Sequence, residues 1–502
     1  MNENNDQQKI RVRDEYIEEL EEIIRNLREQ VDALNEQLKA ETEEKKEQAQ
    51  RLEELEAKVK QLEELLHCKA EAKSAKKPKF TENYSFEKND PQKKQKKRKR
   101  HKSTGRRPKD EKANQATRVE DIYQEGVDPE ACTLHRTQFA WRFIDGKAVF
   151  VCYRIWALPD AKELPLPPGV RNSKSEYGVE IILTLAFLHY WLRISLDNAR
   201  EIIHFFTGLD ISKSQAESLL KQLADDWSEE YEIIAELLAL QLLVYIDETG
   251  WKVGKRSCYN WVFSNAFYVL FRCGVGRGKA EAETILGKFF AGIGVSDDYS
   301  AYKKLFSKHQ LCWAHLLRKA IKLALQHPEN EEYAAFLDGL CAIYHPAVRY
   351  QKDRRLSVGR ASKVAELQAQ ILSLCTRSEE LITKTTSSAE ETFLHLQKEL
   401  VGKIDCLFVF VEHPEVEPTN NRSERNLRKD AEVRNAGRTS KSAKGAKRRG
   451  IIMTVLASLA TRCVKLTLEY LLAEISRWLA DGRSIFRKEL DKIHEEAATA
   501  SS

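Results

Sequence analysis

Leu242-Leu-Val-Tyr-Ile246 is an apolar run without a break, and it stops on Asp247-Glu-Thr-Gly250. A strand with one wet face alternates apolar and polar residues, whereas an unbroken run belongs in the middle of a sheet covered on both sides. The chain is thereby constrained to an α/β core in which Asp247 is carried to the end of a buried strand. Two strand-like runs follow, Tyr259 to Phe263 and Phe267 to Arg272, with a turn between them. Gly292-Ile-Gly-Val-Ser-Asp297 is then another strand that stops on an aspartate. Strand, hairpin and returning strand make a mixed α/β sheet in which two carboxylates are able to converge.

Carboxylates held together resist ionising unless a cation sits between them, so this pattern argues for divalent metal. Phosphoryl transfer on DNA uses two such ions about 4 Å apart. It also wants a third acid, from a helix lying against the sheet. Pro418-Thr-Asn-Asn-Arg-Ser-Glu424 supplies one in the first turn of a helix that Thr419 or Asn420 can cap. Side chains alternate along a strand, so Asp297, which shares parity with Val295, faces the metals in preference to Asp298, and Glu248 points away from Asp247. Asp298 takes that place only if the strand ends one residue early. Cys312-x-x-His315 lies on an expected helix with both side chains on one face. Two ligands do not make a metal site; shaping the acidic site, with His315 bonded to a phosphate or a carboxylate, is the expected role.

Charge is distributed unevenly. Residues 1–68 hold 11 Lys/Arg against 20 Asp/Glu, residues 69–112 hold 18 against 6, and residues 422–449 hold 11 against 3. Two basic blocks on an otherwise acidic chain are a footprint for nucleic acid. The first, broken by Pro78, Pro91 and Pro108, reads as a flexible linker, extended as a segment to 69–118. Its Arg106 and Arg107 suit a narrow minor groove; a charged tether without base preference is the plainer alternative. The second block surrounds Glu424 and reads as a flexible loop from Arg434 to Arg449. Arg422, Arg425, Arg428, Arg434, Arg438, Lys441 and Lys444 are its candidate contacts to double-stranded DNA, each neutralised phosphate releasing counterions.

From Ile17 to Leu66 apolar residues recur at spacings of three and four, interrupted at Glu41, Lys45 and Gln48. That is a coiled coil over residues 1–68, and it implies a homo-oligomer. Residues 119–160 read as a small β-rich, degenerate zinc-finger-like segment: Cys132, His135 and Cys152 are one ligand short of the four that zinc requires. Residues 161–240 are helical. Within them Ser212-Lys-Ser-Gln215 is a capping-box start, and the helices on either side of Thr207-Gly208 form either a DNA-reading pair or a hairpin packed on the core. Residues 241–475 hold the catalytic sheet, and 476–502 read as a C-terminal tail. No apolar run reaches the roughly 18 to 20 residues of a membrane helix, the N-terminus is no signal peptide, and scattered cysteines suit a reducing cytoplasm.

At this point the chain resembles the insertion sequence 66 family of bacterial DDE transposases. The residues that carry the resemblance are Asp247-Glu-Thr-Gly-Trp251, Ser296-Asp-Asp-Tyr-Ser-Ala-Tyr302, Gln310-Leu-Cys-Trp-Ala-His-Leu-Leu-Arg318 and Glu417-Pro-Thr-Asn-Asn-Arg-Ser-Glu-Arg425. The resemblance implies an RNase H-like catalytic domain with a helical insertion at about 316–400, and Asp247, Asp297 and Glu424 as its metal-binding catalytic triad. It further implies two Mg²⁺ ions, with Mn²⁺ able to substitute, and DNA of the element ends and the target as substrate. Accessory proteins of the same element and a bacterial, nucleoid-associated location follow from it too. The sequence departs from the family pattern in having Asp297-Asp298 where Asp-Gly is usual, and in the incomplete zinc segment upstream. Two other readings compete. One is a coiled-coil DNA-binding regulator, against which the basic block lies C-terminal to the coil and is broken by prolines. The other is an inactive transposase, against which all three acids are intact.

Overall fold

The computed structural model describes residues 109–356, 359–383 and 386–500. The expected coiled coil, Arg106, Arg107 and most of the basic linker lie outside the described residues. The linker's last part differs from expectation: Lys109–Gln115 forms a helix directly after Pro108. Proline ahead of a first turn removes no hydrogen bond the helix needs, and the residues that follow include good helix formers.

Three strands come next: β1 (Arg118–Tyr123), β2 (Thr133–Ile144) and β3 (Lys147–Ala157), with β3 in the middle, parallel to β1 and antiparallel to β2. Asp145 and Gly146, with φ of 49° and 74°, make the tight turn between β2 and β3. The candidate zinc ligands take separate partners here. His135 Nε2 lies 2.8 Å from the Leu158 carbonyl, Cys132 contacts the Asp128 carbonyl, and Cys152 packs beside Phe139 and Phe150.

Helices fill most of residues 179–239. The pair Leu196–Thr207 and Lys213–Asp226 is punctuated as its sequence suggests: Gly208 ends the first at φ 75°, and Ser212 and Gln215 cap the second reciprocally. Ile203, Leu209, Ile211, Leu219 and Leu220 are all buried in the main core, so the pair is a hairpin built into the body of the protein.

The main sheet has five strands: β4 (Leu243–Val253), β5 (Arg256–Ser264), β6 (Val269–Val275), β7 (Phe290–Ser296) and β8 (Phe306–Leu311). Their order is β6-β5-β4-β7-β8, so the apolar run sits in the centre. β4, β5 and β6 form an antiparallel meander, while β7 and β8 run parallel to β4. Val244 and Ile246 are fully buried, as a strand covered on both faces requires. Gly294 lets the Phe306 ring lie across β7, since an added Cβ would stand 2.4 Å from that ring.

Between β8 and Glu424 helices occupy most of the described residues from Trp313 to Glu412, starting and ending somewhat outside the expected 316–400, and Trp313, Leu340, Phe393 and Phe408 form a core with Tyr245, Ile293 and Val295 of the sheet. The basic stretch Arg434–Arg449 is not the flexible loop expected. The helix Asn421–Asn435 contains Arg434, and a second helix, Ala443–Ala460, starts where Ser442 Oγ accepts from the Gly445 N–H at 3.1 Å. That second helix lies along β6. Ser458 and Thr454 hydroxyls accept from the Val269 and Phe271 N–H groups at 3.0 and 2.9 Å, and Gly450 faces the Phe271 carbonyl, 2.7 Å from where a Cβ would stand.

Residues 476–500 are mostly helical where a tail was expected. Helices Leu468–Asp481 and Ile485–Ala500 follow one another, Phe486 and Leu490 are buried, and Arg487 pairs with Glu229. The spacing of Phe486, Leu490 and Ile493 is an apolar helical stripe that needed a surface to cover. No helix among the described residues is long and apolar enough to cross a membrane.

Candidate functional site

Asp247 does not end its strand. β4 continues to Val253 in register with β5, but its pairing with β7 stops at Tyr245–Val295. The sheet therefore forks: beyond Ile246, β4 keeps β5 on one side and parts from β7 on the other, where its next backbone partner is Ser440 at Val253. β7 ends at Ser296, so Asp297 leaves it at the same level as Asp247, two residues past the last ladder pair. The Asp297 carboxylate accepts from the Tyr299 N–H at 3.1 Å, which turns the chain away from the sheet. Asp298 is drawn off to Lys403.

Glu424 reaches the fork from the helix Asn421–Asn435. Asn420 occupies the N-cap position without capping through its side chain; instead its amide donates to the Ile246 carbonyl at 2.7 Å. Glu424 is one residue past the capping-box position, and its N–H makes the ordinary helical bond to the Asn420 carbonyl at 3.1 Å. The preceding loop is fixed by the Tyr245 hydroxyl, which accepts from the Glu417 N–H at 2.9 Å, and by the Trp313 N–H, which donates to the Pro418 carbonyl at 3.0 Å. Sequence reasoning took Asn420 for a cap and gave Tyr245 no role. Its signal was position alone, one strand residue before Ile246 and two before Asp247.

The carboxylates around the fork are close enough to act on the Asp247 proton. The Asp247 carboxyl is pushed up to about 8, first by burial and then by the negative charges of Glu248, Asp297 and Glu424. Glu248 is raised mainly by burial, partly offset by the Tyr302 hydroxyl and by Arg277, whose guanidinium lies 2.9 Å away. Its electrostatic coupling to both aspartates places it nearer the cluster than strand alternation suggested. A hollow of about 270 Å³ adjoins, lined by Arg277, Asp297, Asp298, Cys312, His315 and Lys319 among others. Beside two of these residues, Glu424 Oε1 lies 3.6 Å from His315 Nδ1 and 4.0 Å from Cys312 Sγ, and it is 3.4 Å from Arg318. Asp247, Asp297 and Glu424 offer hard oxygen donors, and a divalent cation among them would relieve their repulsion.

The candidate DNA contacts divide into two groups. Arg425, Arg428, Arg438, Lys441 and Lys444 are exposed, Arg438 with one bond to the Arg193 carbonyl. Arg422 and Arg434 are half-buried and engaged within the fold, Arg422 with Glu417 at 2.8 Å and Arg434 with the Thr249 hydroxyl at 3.0 Å. Farther along the same block Arg448 pairs with Glu217, and Arg449 is buried against Asp430. Counting charges does not separate cations that face solvent from those that tie helices together.

No curated protein matches the chain. The model of the transposase IS66 family matches residues 174–448, which span the helical region, the forked sheet, the insertion and the Glu424 helix. By that match over more than half its length, the chain belongs to the IS66 family of transposases.

Proposed function

We propose that this protein is a DDE transposase, cutting DNA at the ends of its element and joining the freed 3′ ends to target DNA on an RNase H-like core. The observation that carries this reading is the placing of Asp247 and Asp297 at the fork with Glu424 on the facing helix, where burial first and then the neighbouring carboxylates push Asp247 up to about 8. An antiparallel meander flanked by two strands parallel to its first member supports the RNase H-like assignment.

The three carboxylates would hold two Mg²⁺ ions, or Mn²⁺ in their place, which when bound activate the attacking oxygen and stabilise the leaving one. The chain's own residues set the stage for this. Asp247, held protonated by its burial, would have to release that proton to serve as a ligand, so metal binding there would depend on pH. Asn420 and Tyr245 fix the helix that presents Glu424, holding it to the strand that carries Asp247. Arg425 and Arg428, one turn apart on the Glu424 helix, point charge toward a phosphate backbone, with Arg438, Lys441 and Lys444 beyond them. Arg106 and Arg107 extend that track from the linker. Residues 1–68 pair two copies so that two DNA ends are processed together, with accessory proteins of the element as further partners.

The test is nicking of a supercoiled plasmid carrying the element's ends, with and without Mg²⁺, by wild type and by Asp247→Asn, Asp297→Asn and Glu424→Gln. Cleavage should fall by orders of magnitude in all three variants while melting temperature and DNA binding persist. Near-normal cleavage by Glu424→Gln beside inactive aspartate variants would remove Glu424 from the triad, leaving Glu415 or Glu417 as the third acid. Silence of the wild type itself would favour an inactive, DNA-binding protein.

A further inference from the structure

Cys312 and His315 lacked partners when read from spacing, and the fold supplies one. Cys312 is the N-cap of the helix Trp313–Gln326, His315 follows in its first turn, and Glu424 arrives from the facing helix. The sulfur, the His315 Nδ1 and a Glu424 oxygen all lie within 4.8 Å of one another, with 4.0 Å from sulfur to oxygen and 3.6 Å from nitrogen to oxygen. Ligand atoms around a tetrahedral zinc ion stand about 3.3 to 3.7 Å apart, so small side-chain rotations close the set.

Two further details point to a ligand. His315 Nδ1 is shut off from solvent yet has no hydrogen-bond partner, an expensive state for a ring nitrogen unless something binds it. The Cys312 sulfur accepts from the Asn420 N–H at 3.1 Å, which holds it in place facing Glu424 at the start of its helix. One thiolate, one imidazole and one carboxylate form a softer set than three carboxylates, and select zinc-like ions over magnesium.

We propose that Cys312, His315 and Glu424 form a site for one thiophilic divalent cation, zinc in kind, whose fourth position is open to water or to a phosphate oxygen. Arg318, 3.4 Å from Glu424 and exposed, swings into solvent when the cation arrives. Because Glu424 is shared, an ion here withdraws it from the aspartates, so zinc slows cleavage and excess Mg²⁺ does not displace it. That consequence rests on the transposase reading; the binding itself does not.

The test is a cobalt(II) titration of the reduced full-length protein, read by the thiolate-to-cobalt charge-transfer band and reversed with zinc. The band should appear in wild type and in Asp247→Asn, and be lost in Cys312→Ser. In His315→Ala the affinity of this site should drop more than about 100-fold, since loss of outer partners alone costs 10 to 100-fold. His315→Ala also guards against misfolding of Cys312→Ser, whose sulfur is buried. A band that survives Cys312→Ser, unchanged affinity in His315→Ala, or no band in folded wild type would overturn the proposal. Cobalt binding here in a chain that never cuts DNA would sink the transposase reading and leave this one standing; cutting without the band would do the reverse.

Discussion

Replacing Asp247 by asparagine should stabilise the metal-free protein while ending its activity. The reason lies in the proton balance. In the fold the carboxyl titrates at about 8 against a reference value of 3.8. The folded chain therefore holds a proton that the unfolded chain has already released, and stability falls as pH rises from about 4 to about 8. Above that window the folded state is ionised too, and the cost stays constant. Each pH unit is about 1.4 kcal/mol, so the cost at pH 7 is roughly 4 kcal/mol before discount, and partial water access lowers it to about half. Asparagine has the same size and no proton to lose, so it escapes this cost. Thermal or urea unfolding in chelator should show Asp247→Asn more stable than wild type at pH 7.5, by about 2 to 4 kcal/mol, with the two converging near pH 4. Adding Mg²⁺ should raise the wild type and leave the variant unmoved, because a bound cation replaces the proton only where there is a carboxylate. An Asp247→Asn protein no more stable than wild type at pH 7.5 without metal would refute the idea that this carboxyl is buried among like charges.

Three further outcomes follow from the fold and the charge pattern. Gly450→Ala should cost about 1 to 3 kcal/mol, measured by urea denaturation, because its Cβ would press on the Phe271 carbonyl at 2.7 Å and lift a helix from the sheet. Deleting residues 1–68 should lower the mass seen by light scattering; an unchanged mass would take the coiled coil out of the assembly. Deleting residues 69–112 should flatten the plot of log DNA affinity against log salt, since that block carries 18 basic residues against 6 acidic ones.

How much of this could be read from the chain differed from element to element. The central strand and the strand ending at Asp297 were visible because burial on both faces leaves short runs without a charged residue, each followed by an aspartate. The continuation of β4 past Asp247 was not visible: Glu248-Thr-Gly-Trp-Lys-Val253 is half polar, and only its pairing with β5 makes it a strand. The basic stretch after Arg434 misled for a different reason. Glycines and lysines suggest a loop when nothing nearby answers their charge, yet Arg448 and Arg449 are answered by Glu217 and Asp430, far off in sequence or on the preceding helix. Asn420 was placed correctly at a helix start and given the wrong bond, because local rules describe a cap and cannot see the Ile246 carbonyl across the fold. The same blindness left Cys312 and His315 without a third partner until Glu424 was set beside them.

The helix laid along β6 has one more effect. β6 is the outermost strand on its side of the sheet, and the N–H groups it turns outward at Val269 and Phe271 are taken by the hydroxyls of Ser458 and Thr454. An uncovered border of this kind is a template on which a second chain can add its own strand, the first step toward a fibre. Two hydroxyl side chains and one missing methyl at Gly450 close that border, so copies brought close together can meet without zipping together through this edge of their sheets.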